Sequence, residues 1–231
     1  MDAVQADIMA SRPTLPPFHF RTAATAKDLL AVVRPWVYFL WLPALVYPGT
    51  LYVHNQGWPL PWGIYGLCFG GIFSAMCAQH FFHVAGGSSS TIQTHIPERV
   101  LAGLGLAAAI PLLVVVAYFA VVRGIVVIAL FVGAAFCLVG YAVPAVKTEW
   151  YWGIGNALVS LGTYYVLTGG FTPGLLVGAA AMACFYYNML HSARLAEGDY
   201  ADAEGKAEKG YYVQRYAFFV GATLLPVSFI I

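Results

Sequence analysis

The sequence predicts an all-α, polytopic transmembrane helical bundle of about seven helices. The first observation behind this is composition. Of 231 residues, 61% are hydrophobic and only 9% are charged, against about 25% charged in an ordinary soluble domain, and the mean hydropathy is +0.75. The second is patterning: the apolar residues gather into runs near the roughly 20 residues that a bilayer-crossing helix needs. The runs are continuous rather than alternating, which selects helices over the strands of a barrel. Aromatic residues make up 16% of the chain, in keeping with interfacial belts in a crowded bundle. A net charge of +1 and the lack of any basic run give no sign of nucleic-acid binding.

Residues 1–28 form a polar N-terminal arm, with Pro13, Pro16 and Pro17, and residues 29–231 form the membrane domain. The arm lacks a basic start followed by an apolar core, so it does not read as a secretory signal. The first apolar run extends from about Leu29 to Val53, with Arg34-Pro35 in its opening turns, where proline is tolerated best. The second goes from about Leu60 to Val84. A glycine- and serine-rich loop, Gly86 to Arg99, leads to the third run, about Val100 to Val122. Arg123-Gly124 is a tight break, and the fourth run continues to about Val143. After the short polar loop Pro144 to Trp150 comes the fifth run, Tyr151 to Leu167. It is the least apolar and carries Asn156, Thr163, Tyr164 and Tyr165. Gly169-Gly170 and Pro173-Gly174 mark a turn into the sixth run, Leu175 to Leu195. A charged loop, Glu197 to Lys209, precedes the last run, Tyr211 to Ile231. Small residues recur along the runs, as at Gly66, Gly70 and Gly71 or Gly178 to Ala181, and permit close helix contacts.

Lysine and arginine placement sets the expected orientation. Arg12, Arg21, Lys27 and Arg34 lie on the N-terminal side, and Arg99, Lys147, Arg194, Lys206 and Lys209 lie in or beside the loops that share that side; Arg123 stands alone opposite. The N-terminus is therefore expected in the cytoplasm, or in the matrix or stroma of an organelle, with the C-terminus across the membrane.

Two stretches concentrate polar side chains near the ends of apolar runs: Gln79-His80-Phe81-Phe82-His83 and Asn188-Met189-Leu190-His191. Residues three apart share a helix face, so each run offers one polar spot. Ionisable groups within a membrane helix face the protein interior by default and mark a site; the alternative is that the histidines meet water at the headgroup level. A site is expected between the second and sixth helices, built from His80, His83, Asn188 and His191. His19 and His54 read as arm and loop residues with no evident partner. The four cysteines, Cys68, Cys77, Cys137 and Cys184, sit inside apolar runs, form no CxxC pair and read as small buried residues.

From about Lys27 to Gly221 the order of parts resembles the UbiA superfamily of intramembrane prenyltransferases. The first helix opens with Arg34-Pro35-Trp36 and continues into Leu42-Pro43-Ala44. Tyr141-Ala142-Val143-Pro144-Ala145-Val146-Lys147, followed by Trp152-Gly153-Ile154-Gly155-Asn156, is similar to the family's Tyr-x-x-Pro-x-x-Lys loop and the glycine-rich helix start after it. Asn188, an acidic loop and Gly205-Lys206 resemble the end of the second aspartate-rich motif. The first motif, NDxxDxxxD, would fall at Gln79, with His80, His83 and Gly87 in place of its aspartates. The second region has Glu197, Asp199 and Asp202 but no DxxxD pair, and the chain has about seven helices where the family usually has nine.

The resemblance implies a UbiA-like fold and a reaction in which an allylic diphosphate, held by two Mg²⁺ ions, ionises and an acceptor attacks the carbocation. Asp199 and Asp202, with Glu197, would then hold Mg²⁺, with Lys147 and Lys206 near the diphosphate and Gln79, His80, His83, Asn188 and His191 at the substrate. Magnesium takes carboxylate oxygens and water, whereas imidazole suits Zn, Cu, Fe or Ni. Two other readings stand beside this one. The chain could be a non-catalytic, UbiA-like subunit of a larger membrane complex, binding lipid, quinone or pigment. Alternatively His80, His83 and His191, with His95, could ligate a transition metal, haem or chlorophyll.

Overall fold

A computed structural model describes residues 26–33, 42–57, 59–86, 96–142, 149–196 and 206–231. All regular structure among these residues is helical: α1 Ala26–Val33, α2 Leu42–Gln56, α3 Trp62–Ala85, α4 Glu98–Arg123, α5 Ile125–Ala142, α6 Glu149–Thr168, α7 Pro173–Ala196 and α8 Lys206–Val227. The seven helices after α1 are 15 to 26 residues long. From the second run onward the sequence-predicted boundaries hold within a few residues. The exception is the last, where α8 begins at Lys206 and takes in the end of the acidic stretch. The first run contains α1 and α2, with Arg34, Pro35 and Trp36 between them outside the described residues.

Among the described residues three helices, Trp62–Ala85, Glu98–Arg123 and Pro173–Ser192, are long and apolar enough to cross a membrane. The burial pattern of α4 points the same way. Only Leu101, Gly105 and Phe119 are buried along it, while Leu106, Ile110, Leu113, Val114 and Val121 are exposed. A helix apolar on every side with most of that surface uncovered belongs in hydrocarbon rather than water.

Chain neighbours pack most extensively: α3 on α4, α5 on α6, α6 on α7 and α7 on α8. Small residues set how close they come. A side chain at Gly153 would run into the Ala183 carbonyl of α7, at Gly174 into the Ser228 carbonyl after α8, and at Gly105 into the Phe82 ring of α3. The contacts run in opposite senses along each pair, so sequential helices are antiparallel. Three connections on one side share a device. Gly57, Gly124 and Gly169 have φ of 79°, 84° and 80°, and their amides bond the carbonyls of Val53, Ala120 and Tyr165 at 2.9, 2.9 and 2.7 Å. The left-handed residue caps the helix and turns the chain, which glycine does without strain. At the same end Arg123 donates from Nε to Val166 O (2.8 Å) and from a terminal nitrogen to Leu167 O (3.2 Å). The arginine thus satisfies last-turn carbonyls of α6 and sits at the negative end of its dipole.

α2 leaves this sequential order and wedges against α6 and α7. Its Pro48 has no N–H, which frees the carbonyl of Ala44 four residues earlier. Ser160 of α6 supplies the missing donor at 2.9 Å. Beside it, Tyr65 Oη donates to Leu45 O at 2.7 Å, Tyr186 Oη accepts from the Ala44 amide at 3.1 Å, and Tyr47 Oη donates to Gly174 O at 3.1 Å. Tyr47 fits because Gly178 lies under its hydroxyl, where any Cβ would overlap it. Ala44, Tyr47, Leu51, Tyr164, Leu175, Met182 and Tyr186 close around these bonds as an apolar cluster. The polar residues of the fifth run face this interior: Asn156, Ser160 and Tyr164 are fully buried, and Asn55 of α2 donates to Tyr164 Oη at 3.0 Å. His54, expected in a loop without a partner, instead occupies the last turn of α2. Its Nε2 lies 2.8 Å from Phe229 O, and its ring stands edge-on to Phe229 at 5.5 Å.

Ser160→Ala is expected to destabilise the fold by about 1–3 kcal/mol, the cost of leaving the buried Ala44 carbonyl without its donor. Pro48→Ala returns an amide able to reach Ala44 O, so the double variant is expected to lose less than the two single losses added. Unfolding in mild detergent measures this cycle; simple additivity would contradict the role given to Ser160.

Candidate functional site

A cavity of about 680 Å³ lies between α3, α4, α5 and α6. Small residues contribute to its wall: Gly71, Ala75 and Ala78 of α3, Ala134 and Ala135 of α5, and Gly162 of α6. Its wall follows α3 from Cys68 to Gly86, about 27 Å at 1.5 Å per residue. Valine, leucine, isoleucine, phenylalanine and methionine supply most of the rest. The polar side chains on the wall are Gln79, His83 and Thr163. Gln79 and His83, one turn apart, lie where α3 ends, and Thr163 lies further along, on α6.

This is a different place from the one expected between the second and sixth helices. Gln79 and His83 line the cavity. His80 does not; its Nδ1 is 2.9 Å from the Met76 carbonyl one turn back on the same helix. His191 is 98% buried and lies parallel to Tyr187 at 5.8 Å. Tyr187 in turn stacks on Trp150 of α6 at 4.3 Å, which makes His191 one ring of a packed aromatic column. Asn188 lines a second, smaller cavity of about 260 Å³ with Gln214, Arg215, Phe218 and Phe219. Lys147, Asp199, Asp202 and Glu197 lie outside the described residues, as do His19 and His95, and Lys206 is the first residue of α8.

Among the described residues no three of histidine, cysteine, aspartate and glutamate come together as a metal site, so His80, His83 and His191 do not converge on one ion. Among the described residues the cavity wall offers imidazole, amide and hydroxyl but no carboxylate. Such a donor set does not fit Mg²⁺, which needs hard anionic oxygens. No step of diphosphate chemistry follows from these side chains.

The cysteines are free, with Cys68 and Cys137 buried and Cys77 and Cys184 half-buried. Two features escaped the sequence reading. One is Thr163, which joins Gln79 and His83 on the cavity wall. The other is Arg215, the single charge within the last apolar run, whose isolation there was a usable signal. Comparison of the chain with known protein families, with curated proteins and with solved structures gives no match.

Cys68 reports on this space directly. With the other three cysteines replaced by alanine, the buried Cys68 is expected to react slowly with N-ethylmaleimide and not at all with a polyethylene-glycol maleimide. Ala75→Trp, which fills the cavity, is expected to slow the small reagent severalfold. Equal rates with and without the tryptophan would show that Cys68 is reached by another route.

Proposed function

We propose that the chain is a multi-pass integral membrane protein that holds an isoprenoid-class lipid in the α3–α6 cavity, its polar head at the Gln79 and His83 end. The observation that carries this is the chemistry of the wall and its reach: a slot bordered by about 27 Å of α3, apolar except at Gln79, His83 and Thr163. That length is close to the roughly 30 Å hydrocarbon thickness of a bilayer, and the volume falls among those of small-molecule sites. A long chain with one small polar end matches it; a compact polar substrate would desolvate its polar groups against carbon. The resemblance to UbiA-type proteins supports an isoprenoid as the occupant. The lysine and arginine distribution supports an N-terminus on the cytoplasmic, matrix or stromal side, which puts Gln79 and His83 at that face.

Binding without prenyl transfer, as in a non-catalytic subunit, is the reading the wall favours over transfer. The positions that hold aspartates in the resembled family are here histidines, one on the wall and one turned back on its own helix. Fold alone does not carry an activity.

A diazirine-bearing geranylgeraniol probe, irradiated with the purified protein, is expected to label peptides of α3 to α6 and to be displaced by unlabelled geranylgeraniol. Ala75→Trp is expected to abolish the labelling. His83→Ala is expected to weaken it about fivefold, equivalent to one hydrogen bond near 1 kcal/mol, and His80→Ala to leave it unchanged. Labelling spread over the exposed faces, indifferent to Ala75→Trp, would overturn the proposal. Transfer of a radiolabelled prenyl group to any acceptor would instead restore the catalytic reading.

A further inference from the structure

Arg215 is the only charged residue between Gly210 and the C-terminal Ile231. It is exposed, and it belongs to a helix whose surface is otherwise aromatic and aliphatic, with Tyr212, Tyr216, Phe219 and Val220 uncovered around it. α8 starts at Lys206, so Arg215 lies about 14 Å along its axis. A guanidinium on so apolar a helix surface is best accommodated beside a polar cavity.

The surroundings form such a cavity. Asn188 of α7 and Gln214, Arg215, Phe218 and Phe219 of α8 line a hollow of about 260 Å³ in the groove between the two helices. The Gln214 amide donates to Ser192 Oγ, and Ser192 Oγ donates to the Asn188 carbonyl at 2.9 Å. This chain of bonds holds the floor of the hollow in place. Asn188 and Arg215 therefore bring amide and guanidinium donors to one small space, with the rings of Phe218 and Phe219 beside it. Donors of this kind recognise an anion, and a guanidinium matches the paired oxygens of a phosphate better than any other side chain. The rings beside it, and the exposed apolar face of α8 beyond them, suit hydrocarbon chains.

We propose that this hollow is a binding site for the phosphodiester headgroup of an anionic phospholipid, with Arg215 and Asn188 as the headgroup contacts and the acyl chains against Phe218 and Phe219. The site is separate from the α3–α6 cavity and rests only on the placement of α7 and α8 in a membrane. Its occupant is a lipid rather than a free phosphate because the phosphate donors and the apolar surface are continuous.

Native mass spectrometry of the full chain in mild detergent tests this, with phosphatidylglycerol and phosphatidylcholine of the same acyl chains as probes. The wild-type protein is expected to retain phosphatidylglycerol in preference to phosphatidylcholine. Arg215→Gln is expected to lower that retention about tenfold, the effect of losing one charge-assisted contact, and Arg215→Lys to keep part of it. Should Arg215→Gln fail to fold, Asn188→Leu, which leaves the charge intact, is expected to weaken retention more modestly. Equal retention of the two lipids, unchanged retention in Arg215→Gln or in Asn188→Leu, or displacement of phosphatidylglycerol by millimolar inorganic phosphate would each overturn the proposal.

Discussion

The carbonyl that Pro48 leaves without a helical donor governs how the centre of this bundle is arranged. An unsatisfied backbone group in apolar surroundings costs several kcal/mol, so α2 is tolerable only where another helix supplies a partner. Ser160 does so for Ala44, and the hydroxyls of Tyr65, Tyr186 and Tyr47 tie the same stretch to α3 and α7. Those bonds require close approach, which is why glycine stands opposite Tyr47 at position 178 and under Tyr65 at position 49. The interior hydrogen-bonding capacity is thus spent at the junction of α2, α6 and α7. What remains between α3, α4, α5 and α6 is carbon-walled space, with polar groups at a few points only.

Much of the helix layout was legible in the sequence, because run length and glycine breaks are local signals. Arg123-Gly124 reads as a break and is one: a single residue with positive φ joins α4 to α5. That the polar residues of the fifth run turn inward follows from the expense of exposing them to lipid, and Asn156 and Ser160 are fully buried. The site was harder to read. His80 and His83 are three apart and Gln79 and His83 four apart, and both spacings share a face. Which pair looks into the cavity depends on the rotation of α3 against three other helices, a long-range fact that periodicity does not contain. His191 was misplaced for a similar reason: its partner Tyr187 is one turn away, but the column that buries it includes Trp150 on another helix.

The two hollows differ in kind, and the difference follows from composition. Between α3 and α6 the facing residues are almost all apolar, small and large together, a setting suited to recognition by shape. Between α7 and α8 Arg215 and two amides lie beside aromatic rings, a setting suited to recognition by charge. A chain with so few ionisable groups places each under strong constraint in a low-dielectric setting. Arg123 meets it by capping α6, where its donors find backbone carbonyls. Gln79 and His83 at the end of α3 offer neutral hydrogen-bonding groups rather than the carboxylates that a hard cation takes.

The most direct measurement is the identity of lipid that stays with the protein. Organic extracts of the full chain, purified from its own membranes in mild detergent and analysed by mass spectrometry, are predicted to contain an isoprenoid-class lipid enriched far above its share of those membranes. Extracts holding only phospholipids in bulk proportion would contradict the assignment of the α3–α6 cavity.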